Sequence, residues 1–312
     1  MMRDSFLRRG LLAVTVTIGL SVTMTAPQPA FAQVTAFKQA VAETAARDQD
    51  IASFYRTNGY TPIWTGAGEA DRARRAALLH AIENADDHGL PVARYDPQGL
   101  MDLLRSAKTP RDRGIVEVEL SKLFLKYARD VQTGMLIPNR VDSRIVRDIP
   151  YRDRSAYLTG LAETKPATFF RSLPPRSMEY NALIKEKVTM ERLLQQGGWG
   201  PRVPAKSLKP GASGNAVIAL RNRLIAMDYL TRSNTVTYDD ALQAAVQQFQ
   251  VDHGLNADGV AGAATMQQIN VGVEKRLQSV LVAMERERWF NTERGKRHVL
   301  VNIPDFTAKI ID

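Results

Sequence analysis

Apolar residues recur at helical spacing along almost the whole of this 312-residue chain and turn to strict alternation only after Arg297. A period between three and four lays a stripe on one helix face, whereas a period of two lays it on one face of a strand. The strongest stripe is Val116, Leu120, Leu123, Phe124, Tyr127 and Val131, at i, i+4, i+7, i+8, i+11 and i+15. Phe37, Val41, Thr44, Ile51 and Phe54 share a face in a first segment, and Tyr180, Ile184 and Val188 mark a helix begun after the Pro174-Pro175 breaker. Loops punctuated by Gly and Pro lie between, at 58–62, 88–91 and 133–138. The expectation is a mainly α protein.

Gly197-Gly198-Trp199-Gly200-Pro201, with Pro204 and Pro210, places a boundary near 197–210, because these residues cannot sit inside a helix. The unit beyond it reads as three helices. Val217, Leu220, Leu224 and Met227 face inward from the first. Leu242, Ala245, Val246 and Phe249 face inward from the second, capped by Asp239 or Asp240, and the third spans Ala263 to Ile269. A further stripe follows, with Val273, Leu277, Val280, Leu281 and Met284. Val299, Val301 and Ile303, then Phe306, Ala308 and Ile310, alternate on either side of Pro304, as one bent strand or two short ones. So little sheet is not stable alone, which suggests a β domain that begins near Arg297 and is cut off.

Composition narrows the chemistry. The chain has no cysteine, which closes disulfide frameworks, Cys-ligated zinc, iron–sulfur clusters and thiolate catalysis to these residues. The net charge is +9, of which residues 1–33 contribute +2 through Arg3, Arg8 and Arg9 against Asp4. This stretch reads as an export signal over 1–32: a basic start, an apolar run from Leu11 to about Met24, and Ala30-Phe31-Ala32 as an A-x-A cleavage site. An uncleaved anchor helix is the other reading, disfavoured by a run that is short and rich in Thr and Gly. Arg8-Arg9-Gly10-Leu11-Leu12 leaves both the general and the twin-arginine routes open. A basic chain in the periplasm or cell envelope meets anionic polymers or lipid surfaces rather than nucleic acid. The three-helix unit is not itself basic, with four basic side chains against five acidic ones over 208–271.

The stretch LKPGASGNAVIALRNRLIAMDYL, followed by DDALQAAVQQFQVDHGLNADGVAGAATMQQIN, resembles the peptidoglycan-binding module of many cell-wall hydrolases and transpeptidases. FYRTNGYTPIWTG at 54–66, ADDHGLPVARYDP at 85–97, KYARDVQTGMLIPNRVD at 126–142 and MERERWFN at 284–291 are similar to the large periplasmic murein L,D-transpeptidases. That resemblance implies a helical scaffold domain holding an inserted three-helix binding module, followed by a β-rich catalytic domain. It implies 3-3 cross-linking of stem peptides through a cysteine acyl-enzyme with a histidine base. The expected layout is a signal peptide over 1–32, scaffold over 33–206 and 273–296, a peptidoglycan-binding domain over 207–272 and the start of the catalytic domain over 297–312. The family's catalytic motifs have no counterpart among these residues, so no catalytic residue is assigned and the chain is expected to be inert alone.

The other readings are a non-catalytic wall-binding or scaffolding protein and a hydrolase sharing the module. For a hydrolase the residues offer little. His80, His88, His253 and His298 are scattered without an H-E-x-x-H pair, and S-x-x-K, K-T-G and G-x-S-x-G are absent, so neither metal nor cofactor is expected. Glu179, Glu186 and Glu191, among Lys185, Lys187 and Arg192, read as a solvated charged face. Trp64, Trp199 and Trp289 read as seam plugs, with sugar stacking as the alternative. Arg221, Tyr229 and Gln250 are the candidates to hydrogen-bond stem peptide or sugar.

Overall fold

The computed structural model describes residues 30–292, 295–302 and 307–312. The export signal is read on residues outside that set, apart from the A-x-A triplet, where α1 (Ala30–Ala45) begins. The chain is mainly α, as the periodicity implies. Among the described residues no helix is long and apolar enough to cross a membrane.

The first helical body is organised around α5 (Pro110–Thr133), the longest helix among the described residues. Its start is fixed by a capping box between Thr109 and Asp112 with Pro110 in the first turn, and its end by Gly134 at φ 94°. Val116, Leu120, Phe124, Ala128 and Val131 are buried along it. Each fully buried Val, Leu or Phe side chain among them contributes roughly 1.5–3 kcal/mol. α1 crosses α5 at Gly114, where an added Cβ would lie 2.6 Å from the Phe37 carbonyl oxygen.

Phe37 to Phe54 form two helices, not the one continuous stripe that the spacing suggests. Asp48 is extended (φ −126°, ψ 92°) and caps α2 (Gln49–Thr57) by accepting from the Ile51 N–H. The stripe survives the break because Thr44 and Ile51 are seven residues apart, close to two helical turns. Around this pair lie α3 (Glu69–Glu83), α4 (Pro97–Ser106), α6 (Pro138–Val141), α7 (Arg154–Glu163) and α8 (Pro166–Ser172).

α9 (Met178–Gln195) and α13 (Val273–Trp289) pack against each other although 77 residues separate them, with Tyr180, Val280 and Met284 buried between them. Between them are α10 (Asn215–Ala226), α11 (Asp240–Asp252) and α12 (Ala263–Ile269), which enclose a core of their own that includes Val217, Leu220, Leu224, Leu242, Val246, Phe249 and Ile269. The two ends of this unit are stapled. Arg223 donates to the carbonyls of Gly200 (2.9 Å) on the incoming side and of Ile269 (2.6 Å) and Val271 (2.9 Å) on the outgoing side. Asn270 exchanges two hydrogen bonds with the Val203 backbone. Gly197, Gly198 and Gly200 all have φ between 74° and 93°, which suits glycine and ends α9 abruptly.

β1 (His298–Asn302) and β2 (Thr307–Ile311) pair antiparallel with Val299 opposite Ile310, so the two-strand reading is the one realised. Val299, Val301 and Ile310 are each more than 60% exposed, leaving an apolar row open to solvent.

Candidate functional site

The motifs singled out at 54–66, 85–97, 126–142 and 284–291 come together as buried polar networks. Glu117 is fully buried, and one of its carboxylate oxygens accepts from the Tyr55 hydroxyl (2.8 Å) and the N–H groups of Ile63 (2.6 Å) and Trp64 (3.0 Å). The other accepts from the Thr65 N–H (2.8 Å) and hydroxyl (2.7 Å). Burial lifts this carboxyl above the usual carboxylate range against the pull of its donors, and burial, followed by the Glu117 charge, lifts the Tyr55 phenol. Asp130 likewise binds Arg94 (2.5 Å) and the Tyr95 hydroxyl (3.0 Å).

A third network ties α13 back to the helical body around α5. Glu285 accepts from the Leu136 N–H (2.7 Å), Trp289 Nε1 (3.2 Å) and Arg288 (2.8 Å). Arg288 also donates to the His88 carbonyl oxygen (2.7 Å) and to the Tyr180 hydroxyl (3.1 Å). Burial above all, then the charges of Arg288 and Lys187, pushes the His88 imidazole down to about 4, against the opposing pull of Asp87. An unfolded histidine titrates near 6.5, so between these values the unfolded state holds the extra proton and stability falls as pH falls. We expect a loss of about 3 kcal/mol from this group between pH 7 and pH 4. Urea titrations of wild type and His88→Gln check this, with a shallower acid slope expected in the variant.

Among the described residues three hollows border α13, and two of them lie where it meets other parts of the chain. One, of about 750 Å³, is lined by Pro174 to Glu179, the end of α13 and the hairpin residues His298, Leu300 and Ile311. The other, a cleft of about 400 Å³, lies between the three-helix unit and the α9–α13 pair. Tyr229, Phe249 and His253 come to the cleft from the unit, Trp199 from the linker, Glu186 from α9 and Arg276 from α13. The His253 and Phe249 rings stack at 3.9 Å, and Tyr229 meets Phe249 edge to face at 5.3 Å.

Residues 213–269 match the family model described as Putative peptidoglycan binding domain, and residues 49–186 match that described as Scaffold domain. No curated protein matches the chain. The two matches in this order support an L,D-transpeptidase-like architecture, and the first of them supports cell-wall binding with peptidoglycan as partner.

The three binding candidates in the module fall in different places. Gln250 is buried: its amide nitrogen donates to Asp258, the Val260 carbonyl oxygen and Thr265, all at 3.0 Å, and its oxygen accepts from the Gly259 N–H. Arg221 is buried too, donating to Ser233 (2.8 Å), the Thr237 carbonyl oxygen (2.9 Å) and Asp239 (2.7 Å). Both therefore hold the loops of the unit together rather than standing in a groove. Tyr229 alone of the three lines the cleft.

The aromatic and charged residues divide as well. Trp64 and Trp289 are buried with their indole N–H groups on Ser121 and Glu285, and only Trp199, half-buried, stands at the seam. Glu179 and Glu186 are exposed as expected. Lys187 is not part of a solvated face: it is buried and paired with Asp86 (2.8 Å) and Glu191 (2.5 Å). The four histidines stay apart, and among the described residues no cluster of three or more His, Asp or Glu is placed to hold a metal ion. What the site offers is stacking faces and hydrogen-bonding groups, which suit binding.

Proposed function

We propose that this chain is the murein-binding, scaffold-bearing portion of an L,D-transpeptidase that forms 3-3 links between stem peptides. The observation that carries the reading is the adjacency of the two matched domains, with the binding domain inserted between the packed helices α9 and α13. In this reading an export signal over 1–32 sends the chain to the periplasm. The scaffold spans 33–206 and 273–296, the peptidoglycan-binding domain 207–272, and 297–312 opens the catalytic domain. In this reading acyl transfer uses a cysteine thiolate with a histidine base, and as the chain has no cysteine the nucleophile is supplied by residues outside these 312. The open apolar row of Val299, Val301 and Ile310 supports this part of the reading, because it is a face that a further packed layer would cover.

Sedimentation with purified sacculi tests the binding half. The chain is expected to pellet with intact sacculi and to stay in solution once a muramidase has dissolved them. Pelleting should persist at high salt, since the binding domain carries almost no net charge, whereas adsorption of a basic body to an anionic wall is screened. A chain that stays in the supernatant, or that salt releases completely, contradicts the reading. The catalytic half is tested by reading the gene past codon 312: a Ser-His-Gly-Cys stretch supports it, and a stop codon favours a non-catalytic wall-binding protein.

A further inference from the structure

We propose that the cleft between the three-helix unit and the α9–α13 pair is a composite binding site for one glycan-peptide repeat of peptidoglycan, with neither half complete alone. The proposal rests on the wall-binding reading above and names where that polymer is held. The cleft, at about 400 Å³, falls within the roughly 300–1,000 Å³ of small-ligand sites. Its two sides supply different chemistry. The unit and linker bring aromatic faces, Tyr229, His253 and Trp199, and the scaffold helices bring a cation, Arg276, and a carboxylate, Glu186.

Two of these groups are held ready. His253 Nδ1 lies 2.8 Å from the Phe249 carbonyl oxygen, and since a carbonyl can only accept, Nδ1 carries the proton and Nε2 is left as an acceptor. Burial lowers the His253 pKa, which favours that neutral form. Arg276 is braced by donating to both the backbone and the side-chain oxygen of Gln268 (3.1 and 3.2 Å), and a guanidinium has donors to spare for a carboxylate. An N-acetylated sugar presents an apolar ring face and an amide N–H, and a stem peptide presents carboxylates and an amine. Ring face to Trp199 and Tyr229, amide N–H to His253 Nε2, carboxylate to Arg276 and amine to Glu186 pairs each of these five residues with a group of the ligand.

A site built from both sides also couples occupancy to geometry. The unit joins the scaffold through Gly197, Gly198 and Gly200 on one side and Val271-Gly272 on the other, so a ligand gripped from both walls fixes its angle. Polymer and scaffold are then held in one register.

Isothermal titration of the 312-residue chain with the disaccharide-tetrapeptide freed from sacculi by a muramidase tests the proposal. Trp199→Ala, which removes a stacking face, and Ser279→Trp, which fills the cleft from an exposed position on α13, are each expected to weaken binding at least tenfold with thermal midpoints unchanged. Arg276→Gln is expected to weaken the disaccharide-tetrapeptide more than the peptide-free disaccharide. Wild-type affinity in both Trp199→Ala and Ser279→Trp overturns the site, as does failure of the wild type to bind the probe while it still sediments with sacculi. Failure of the wild type to sediment at all instead removes the wall-binding reading beneath it.

Discussion

Replacing Glu117 by Gln is expected to lower the stability of the scaffold by about 4 kcal/mol, a large part of the 5–15 kcal/mol typical of a folded domain. The change is nearly isosteric, so its effect isolates hydrogen bonding. The carboxylate accepts five bonds, three of them from the consecutive backbone N–H groups of Ile63, Trp64 and Thr65. An amide keeps one oxygen and turns an NH2 toward donors, leaving at least two buried groups without an acceptor at roughly 1–3 kcal/mol each. Chemical unfolding followed through Trp64 and Trp289 fluorescence measures this, with Glu117→Asp expected to recover part of the loss. A loss below about 1 kcal/mol would mean that these donors find other partners or water. A loss that small would contradict the role of this carboxylate in holding the 54–66 motif in place.

The second large effect is expected from Gly134→Ala, at about 3–5 kcal/mol. Gly134 ends α5 at φ 94° and ψ 151°, a conformation that side-chain-bearing residues enter at a cost of roughly 1–3 kcal/mol. The same Cβ would lie 2.6 Å from a Glu285 carboxylate oxygen and 2.7 Å from Trp289 Nε1, the two groups that fasten α13 to this turn. Either the backbone strains or the Glu285–Arg288–Trp289 network opens, and Arg288 is the link from that network to His88 and Tyr180. Amide exchange distinguishes this local undocking from global unfolding: protection should be lost in α13 and around Leu136 before it is lost in the middle of α5.

Much of the helical architecture is legible in the sequence, because burial of one face writes a period into each segment. Ala263 to Ile269 is read and found with the same limits, and the inward faces of α10 and α11 are the residues that their spacing selects. The division at Asp48 is hidden by a seven-residue spacing that fits one helix as well as two, and the cue there is the capping aspartate.

Polar residues on buried stripes are harder to read. Arg221 is four residues after Val217, and Gln250 is eight after Leu242, so both lie on the inward face of their helices. The signal is present in that register, but chemistry alone makes a long polar side chain look available for ligand. Glu117 shows the same thing in α5, one turn before Leu120 and Ser121 on the buried face. The cleft has no local signature, since it is assembled from residues as far apart as Glu186, Tyr229 and Arg276 by helices that meet only after the chain has folded. Stapling of the unit's two ends by Arg223 is equally non-local, reaching from Gly200 to Val271.

On the proposed reading this chain holds peptidoglycan between the 213–269 domain and α13. Hydrogen exchange measured by mass spectrometry, on the chain alone and on the chain saturated with purified sacculi, tests it most directly. Slowed exchange is expected around Tyr229 and His253, at the Trp199 linker and along the cleft-facing turn of α13 from Arg276 to Ala283, with the 54–66 segment unchanged. Slowed exchange confined to the basic surface of the scaffold, with 213–269 unaffected, would contradict it.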